Sequence, residues 1–187
     1  KKQTSINRIN ISKKKMRILI IAGTRVGGTS FGNWLSLELG IPFSMEPDNI
    51  NNQSKWLEGD CVTKIIYSID TPTLINSNWD KIIGITRTNL FECAISSLWG
   101  GDNKSGHNKY TLPNGWIESN IDRIHNEMLT IKNMHKCISN LPIFQITYEN
   151  IFETRLDIDR IKTYLGLNDL KYLHYLDITN RLRNNKS

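Results

Sequence analysis

The chain has 187 residues, the size of one ordinary domain of roughly 100–200 residues, which excludes a large modular assembly. Apolar residues make up 39% and charged residues 22%, as in globular proteins, which excludes a collagen-like repeat and a wholly disordered chain. The formal net charge is +6, and no apolar run reaches the ~18 residues that a membrane-spanning helix requires.

The positive charge is concentrated at the beginning of the chain. Residues 1–17 contain seven basic residues and no acidic ones, which leaves 17 basic against 18 acidic residues in the remainder. We therefore expect residues 1–16 to form a flexible basic leader and residues 17–187 to form a single domain of balanced charge. Nucleic-acid binding would depend on the leader alone and is not expected of the domain. No cleaved signal is predicted, because no apolar segment of ~7–15 residues follows the basic stretch before the first strand.

Hydrophobic patterns predict alternating strands and helices after the leader. Strands are predicted over residues 17–22, 41–45, 61–67, 81–86 and 142–148. Helices are predicted over residues 29–39, 88–99, 116–139 and 157–165, and loops over 48–54 and 100–115. The first strand has no polar alternation, which is typical of a parallel strand covered on both faces. The order of elements indicates an α/β fold with a mostly parallel sheet.

A glycine-rich loop joins the first strand to the first helix, with the sequence Gly23-Thr24-Arg25-Val26-Gly27-Gly28-Thr29-Ser30. In this position, backbone N–H groups and the positive end of the helix dipole point at an anion. The loop matches the pattern GxxxxGK[ST] except that Thr29 replaces the lysine, which argues against an ATPase or an ordinary kinase. It suits a donor with one 5′-anion. A glycine turn that merely permits a tight connection is the alternative.

A second candidate anion site lies in the segment from Thr86 to Ser97. Arg87 follows a predicted strand, at the edge where open α/β sheets bind ligands. Ser96 comes nine residues later, on the next predicted helix, so its hydroxyl could reach the same phosphate. An arginine that only pairs within the protein is the alternative.

Cysteine and histidine give no sign of a metal site or a disulfide framework. The three cysteines, Cys61, Cys93 and Cys137, are widely spaced, and we interpret them as thiols in a reducing cytosol. The four histidines show no metal-ligand spacing.

Together the two anion segments resemble the PAPS-dependent sulfotransferases, which use 3′-phosphoadenosine 5′-phosphosulfate (PAPS) as donor, and in particular the bacterial trehalose-sulfotransferase-like branch. Residues 24–30 align without a gap with that family's loop T-P-R-S-G-S-T, which holds the 5′-phosphosulfate. The family's arginine position is Val26 here, and Arg25 stands one residue earlier. Arg87 and Ser96 match the 3′-phosphate motif, although Thr88 stands where this branch often has a second arginine.

The resemblance implies a P-loop-like, three-layer fold with about four or five strands, and a set of site residues. The implied donor-binding residues are Arg25, Val26, Gly27, Gly28, Thr29, Ser30, Arg87 and Ser96. The implied catalytic residues are Glu46, Arg25 and Lys64. Glu46, in Gly40-Ile41-Pro42-Phe43-Ser44-Met45-Glu46, matches the proposed general base, and Lys64 a lysine near the bridging oxygen. A surface acid at Glu46 and a surface lysine at Lys64 are the alternatives. Tyr148 and Glu149 are interpreted as mainly structural.

The implied reaction transfers a sulfuryl group from PAPS to the hydroxyl of a small-molecule or carbohydrate acceptor, with adenosine 3′,5′-bisphosphate (PAP) as product. The resemblance implies no metal. No membrane partner is expected, because no apolar run is long enough to span a membrane, and the widely spaced cysteines indicate a cytoplasmic location. Residues expected to line the acceptor pocket are Asp102, His107, Tyr110 and Trp116. Two alternatives stay open: a nucleotide or small-molecule kinase with a degenerate loop, and a non-catalytic nucleotide-binding relative, which the substitutions at Val26 and Thr88 favour.

Overall fold

The computed structural model describes residues 16–45, 59–103 and 112–176. Within these residues, five strands form one all-parallel sheet in the order β2-β3-β1-β4-β5. The strands are β1 (Arg17–Ala22), β2 (Phe43–Met45), β3 (Cys61–Ile66), β4 (Lys81–Thr86) and β5 (Phe144–Thr147). The fold class predicted from the sequence, a P-loop-like α/β fold with a central parallel sheet, is confirmed.

Helices connect the strands. They are α1 (Gly28–Leu39), α2 (Thr71–Ile75), α3 (Leu90–Asn103), α4 (Trp116–Ser119), α5 (Ile121–Ser139) and α6 (Ile158–Leu165), with a π-helix at Glu149–Glu153. In the described ranges, no helix has both the length and the apolar character needed to cross a membrane.

The central strand β1 packs against a separate hydrophobic layer on each face. Ile18 and Ile20 belong to the larger buried cluster, which includes Phe31 of α1. Leu19 and Ile21 belong to a second cluster, on the opposite face. Because successive side chains of a strand point to opposite faces, an unbroken apolar run can occur only where both faces are covered, which produces the three layers.

The crossing of the chain over β1 determines where a site can form. From β1 the chain passes to β2 and β3, which lie on one side of β1 within the sheet. It then crosses to β4 and β5, which lie on the other side of β1. In parallel sheets, ligands bind outside the carboxyl ends of the strands at such a switch point. The loop that follows β1 therefore lies at the most favourable position for a ligand.

Several predicted boundaries differ from the structure. The helix predicted over 116–139 is divided at Asn120, whose side chain donates a hydrogen bond to the carbonyl of Trp116 at 2.8 Å. The strand predicted from Ile41 begins at Phe43, because the N–H and the carbonyl of Ile41 are both bonded to Ser36 at the end of α1. Helix α3 continues into the predicted loop as far as Asn103. The short helix α2 and the π-helix were not predicted.

Helix α1 provides a direct test of the larger core. Phe31 is fully buried, whereas Leu37 on the same helix is exposed. Replacing Phe31 with alanine should lower the free energy of unfolding by about 3–5 kcal/mol, because the cavity removes packing as well as apolar burial. The matched variant Leu37→Ala should change it by no more than about 0.5 kcal/mol. Urea titrations of both variants measure the difference, and equal losses would contradict the assignment of the buried face.

Candidate functional site

The loop between β1 and α1, residues 23–27, has the backbone geometry of an anion cradle. Arg25 has a φ of 58° and Gly27 a φ of 76°, so two of its residues are left-handed. A non-glycine residue in this region is strained, and such strain is concentrated at functional sites. Gly27 is the N-cap of α1, and no described side chain caps this end. The first-turn N–H groups and the positive end of the helix dipole are therefore available to an anion.

Close packing holds this loop from two sides. A methyl group on Gly23 would lie 2.4 Å from Nε2 of His135 in α5. A methyl group on Gly27 would lie 2.9 Å from the rings of Tyr148 and Phe152. Neither position can therefore accept a side chain without movement of its neighbours, and the loop conformation depends on α5 and the π-helix.

Lys64 reaches the loop from the neighbouring strand. It lies on β3, in register with Ile20 of β1 and Met45 of β2, and is 7% exposed. Its Cε atom lies 3.5 Å from the position that a methyl group on Gly28 would occupy. The structure thus places a buried lysine against the first turn of α1, the turn in which Thr29 replaces the lysine of the triphosphatase pattern.

The side chains of Arg25 and Val26 leave the loop in different directions. A methyl group on Gly100 of α3 would lie 2.2 Å from a terminal guanidinium nitrogen of Arg25, so Arg25 extends to the side of α3. The Arg25 carbonyl accepts a hydrogen bond from the Cys93 thiol at 3.8 Å. Val26 is 1% exposed and its side chain belongs to the core, so it can offer a ligand only its backbone. Thr29 and Ser30 are half-buried in the first turn of α1.

Arg87 follows β4 and lies in an electrostatic network. Its side chain is 7% exposed, forms an ion pair with Glu92 of α3, and has its Nε 3.9 Å from Oε1 of Glu149. The guanidinium also lies over the ring of Tyr148, 4.2 Å from the centroid. Oε1 of Glu149 accepts the N–H groups of Thr88 and Asn89 at 3.0 and 3.2 Å. Glu149 and Tyr148 therefore fix the segment that carries Arg87, consistent with a structural role.

The two predicted anion segments lie together at the carboxyl ends of the neighbouring strands β1 and β4. The N–H of Gly23 donates to the carbonyl of Ile85, two residues before Arg87. Ser96 is half-buried on α3, one helical turn after Glu92 and one turn before Gly100. Glu92 pairs with Arg87 and Gly100 contacts Arg25, so the face of α3 that carries Ser96 connects the two arginines.

His135 was not predicted as a site residue. The His135 residue is 8% exposed and lies on the buried face of α5 with Ile131 and Ile138. The helical spacing of these residues indicates in the sequence that His135 is buried, but it does not indicate that His135 lies close to Gly23. Burial lowers the pKa of His135, while a hydrogen bond with the Arg87 backbone and the charge of Glu149 oppose the shift.

The residues around Arg87 also include buried polar atoms and a protonated thiol. Nε2 of His135, Nε of Arg87 and Oε2 of Glu149 are buried and have no hydrogen-bond partner among the described residues. Burial also raises the pKa of the Cys93 thiol to about 11, with Arg87 opposing the shift. Cys93 therefore stays protonated at neutral pH, as its hydrogen bond to Arg25 requires.

Some predicted site residues are placed elsewhere or lie outside the described ranges. Glu46, His107 and Tyr110 lie outside them. Asp102 forms a bidentate ion pair with Arg123, at 3.0 and 3.1 Å, and the Trp116 ring meets that of Trp99 edge-on at 5.5 Å. Within the described residues, no three histidine, cysteine, aspartate or glutamate side chains group as metal ligands.

Comparisons with known proteins do not assign a family to this chain. The sequence matches no protein-family model and no curated protein. Among solved structures, the chain is similar to an unliganded sugar kinase from Janibacter sp. HTCC2649, with 11% identity and a TM-score of 0.41, covering 81% of this chain and 95% of that chain. A likeness of this degree supports no statement about function.

The buried imidazole makes stability depend on pH. Because the pKa of His135 is lower in the folded state than the ordinary value of about 6.5, the unfolded state binds the proton more readily. His135 should therefore stabilise the protein most above pH 6.5 and progressively less as the pH falls below it. Denaturant titrations at pH 7.5 and 5.0 should show that wild type loses more stability on acidification than His135→Gln does. Equal losses would show that folding does not lower the pKa of His135.

Proposed function

We propose that this protein transfers a sulfuryl group from PAPS to an acceptor hydroxyl. The observation that carries the proposal is the approach of Lys64 to Gly28, at a phosphate loop in which Thr29 occupies the lysine position. A lysine supplied by β3 places one cation at the end of the loop, which suits a 5′-phosphosulfate and differs from the loop lysine that serves a triphosphate.

The donor has two anionic ends, and the structure offers groups for both. In this proposal the backbone of residues 26–30 and the hydroxyls of Thr29 and Ser30 bind the 5′-phosphosulfate. Arg87 and Ser96 bind the 3′-phosphate. The hydrogen bond between Gly23 and Ile85 keeps these two groups of binding residues at the same end of the sheet. This proximity supports binding of one molecule by both groups.

The reaction needs positioning and charge stabilisation more than covalent chemistry. The acceptor oxygen forms a bond to sulfur, and the bond between sulfur and the bridging phosphate oxygen breaks. The electron pair of that bond stays on the leaving phosphate, where Lys64 and the first-turn amides of α1 stabilise the charge. Arg25 would contribute from the side of Gly100.

The acceptor hydroxyl loses its proton in the same step. We assign Glu46 as the base, because a carboxylate can accept this proton and because Glu46 directly follows Met45, the residue in register with Lys64. A carbohydrate is the proposed acceptor. The proposal includes a cytosolic location, with which the reduced state of Cys61, Cys93 and Cys137 agrees.

Isothermal titration calorimetry with PAP, ATP and GTP tests the donor class. PAP should bind, whereas ATP and GTP should bind weakly or not at all, because the loop lacks the lysine that bridges β- and γ-phosphates. Tight binding of ATP, with transfer that depends on ATP and Mg²⁺, would instead identify a kinase. PAP binding without PAPS turnover would identify a non-catalytic relative.

A pair of lysine variants controls this experiment. Lys64→Met keeps the buried stem and removes the charge, and should weaken PAP binding about 10-fold. Lys81→Met removes the same charge from the first residue of β4, at the amino ends of the strands and so away from the loop. It should leave PAP binding unchanged. Equal effects of both substitutions would mean that Lys64 acts through net charge and not through contact.

Glu46→Gln tests the base. The amide cannot accept the proton, so turnover should fall by about 10²–10⁴ while PAP affinity stays at the wild-type value. The measurement is PAP formation from PAPS with a panel of mono- and disaccharide acceptors. Normal turnover in this variant would assign proton removal to water or to another residue.

A further inference from the structure

Arg87, the proposed ligand of the 3′-phosphate, is held by two carboxylates that differ in their freedom to move. Glu149 has a side chain 18% exposed and accepts two backbone N–H groups through Oε1. Glu92 has a side chain 57% exposed and accepts a hydrogen bond from Nη2 of Arg87 through its Oε2. Displacing Glu149 would break the backbone contacts of Thr88 and Asn89, whereas displacing Glu92 requires only the rotation of an exposed side chain.

The backbone of Glu92 can stay in place during such a rotation. Its N–H is bonded to the side chain of Asn89 at 3.1 Å, within the first turn of α3. Side chains of helical residues are free to change rotamer when they face solvent. The carboxylate can therefore leave Arg87 without movement of α3.

Glu92 lies beside the place where the 3′-phosphate would bind. Glu92 and Ser96 are four residues apart on α3 and so are neighbours on one face of the helix. A phosphate bound by both Arg87 and Ser96 would occupy the space beside Glu92, and its two negative charges would repel that carboxylate. Phosphate also offers oxygens that pair with a guanidinium in bidentate geometry, so it can replace the carboxylate.

We infer that Glu92 is an exchangeable counter-ion, which neutralises Arg87 in the free protein and is displaced by the 3′-phosphate of the nucleotide. This inference rests on the proposed function. Glu92 stabilises a buried cation when no ligand is present and lowers the affinity for the 3′-phosphate, which favours release of PAP. A nucleotide with a neutral 3′-hydroxyl leaves the pair between Arg87 and Glu92 intact.

The test compares two ligands that differ only in the 3′-phosphate. Calorimetry is carried out with PAP and with adenosine 5′-monophosphate on wild type, on Glu92→Gln and on Glu118→Gln. The last variant removes the same charge from an exposed position of α4. Glu92→Gln should bind PAP about 5- to 20-fold more tightly than wild type and adenosine 5′-monophosphate with unchanged affinity. Glu118→Gln should bind both ligands as wild type does.

Each other outcome overturns a defined part of the inference. Equal PAP affinity in wild type and Glu92→Gln would refute the role of Glu92 and leave the proposed function standing. A parallel gain for both ligands, or a gain in Glu118→Gln, would show an effect of net charge and refute the exchange. Failure of all three proteins to bind PAP would refute the proposed function together with this inference. Thermal unfolding of each variant confirms that the protein tested is folded.

Discussion

The candidate site depends on the first turn of α1, which follows the central strand after one short loop. Gly27 leads the chain into this helix, and no side chain in the described part of the chain caps it, so the local N–H groups are left for an external acceptor. Because β1 lies in the middle of the sheet, residues from both neighbouring strands can reach this turn. Lys64 arrives from β3 on one side, and the segment of Arg87 follows β4 on the other. The arrangement of strands therefore determines which charges surround the turn.

The contacts that hold the glycine loop and Arg87 also contribute to the stability of the folded protein. The imidazole of His135 lies against Gly23, and the rings of Tyr148 and Phe152 lie against Gly27, so the cradle cannot relax without disturbing α5 and the π-helix. A buried arginine requires a nearby negative charge while no ligand is bound, because desolvation of an unpaired cation is costly. The carboxylates beside Arg87 meet this requirement, and their different exposure gives one of them freedom to move. Stability of the free protein and the proposed affinity for an anion are thus opposing demands on one guanidinium.

Much of the fold follows from local patterns that the sequence displays. The unbroken apolar run of residues 17–22 predicts a strand covered on both faces, and the structure shows β1 over the same residues. Gly40 and Gly166 adopt the left-handed conformation that ends α1 and α6, as their place after a helical pattern predicts. The break at Asn120 was missed, because a side-chain bond to the backbone one turn earlier has no periodic pattern in the sequence.

By itself, the sequence determined the class of fold, the position of the glycine loop and the two segments that are candidates for anion binding, since each depends on residues adjacent along the chain. Only the tertiary structure decided that Lys64 contacts Gly28, that Arg25 extends to Gly100, that His135 lies against Gly23 and that Glu92 pairs with Arg87. The first three contacts join residues separated by 36 to 112 positions, and they depend on strand register and helix packing. The last joins residues five positions apart, but it requires a particular side-chain direction at the start of a helix, which periodicity does not specify.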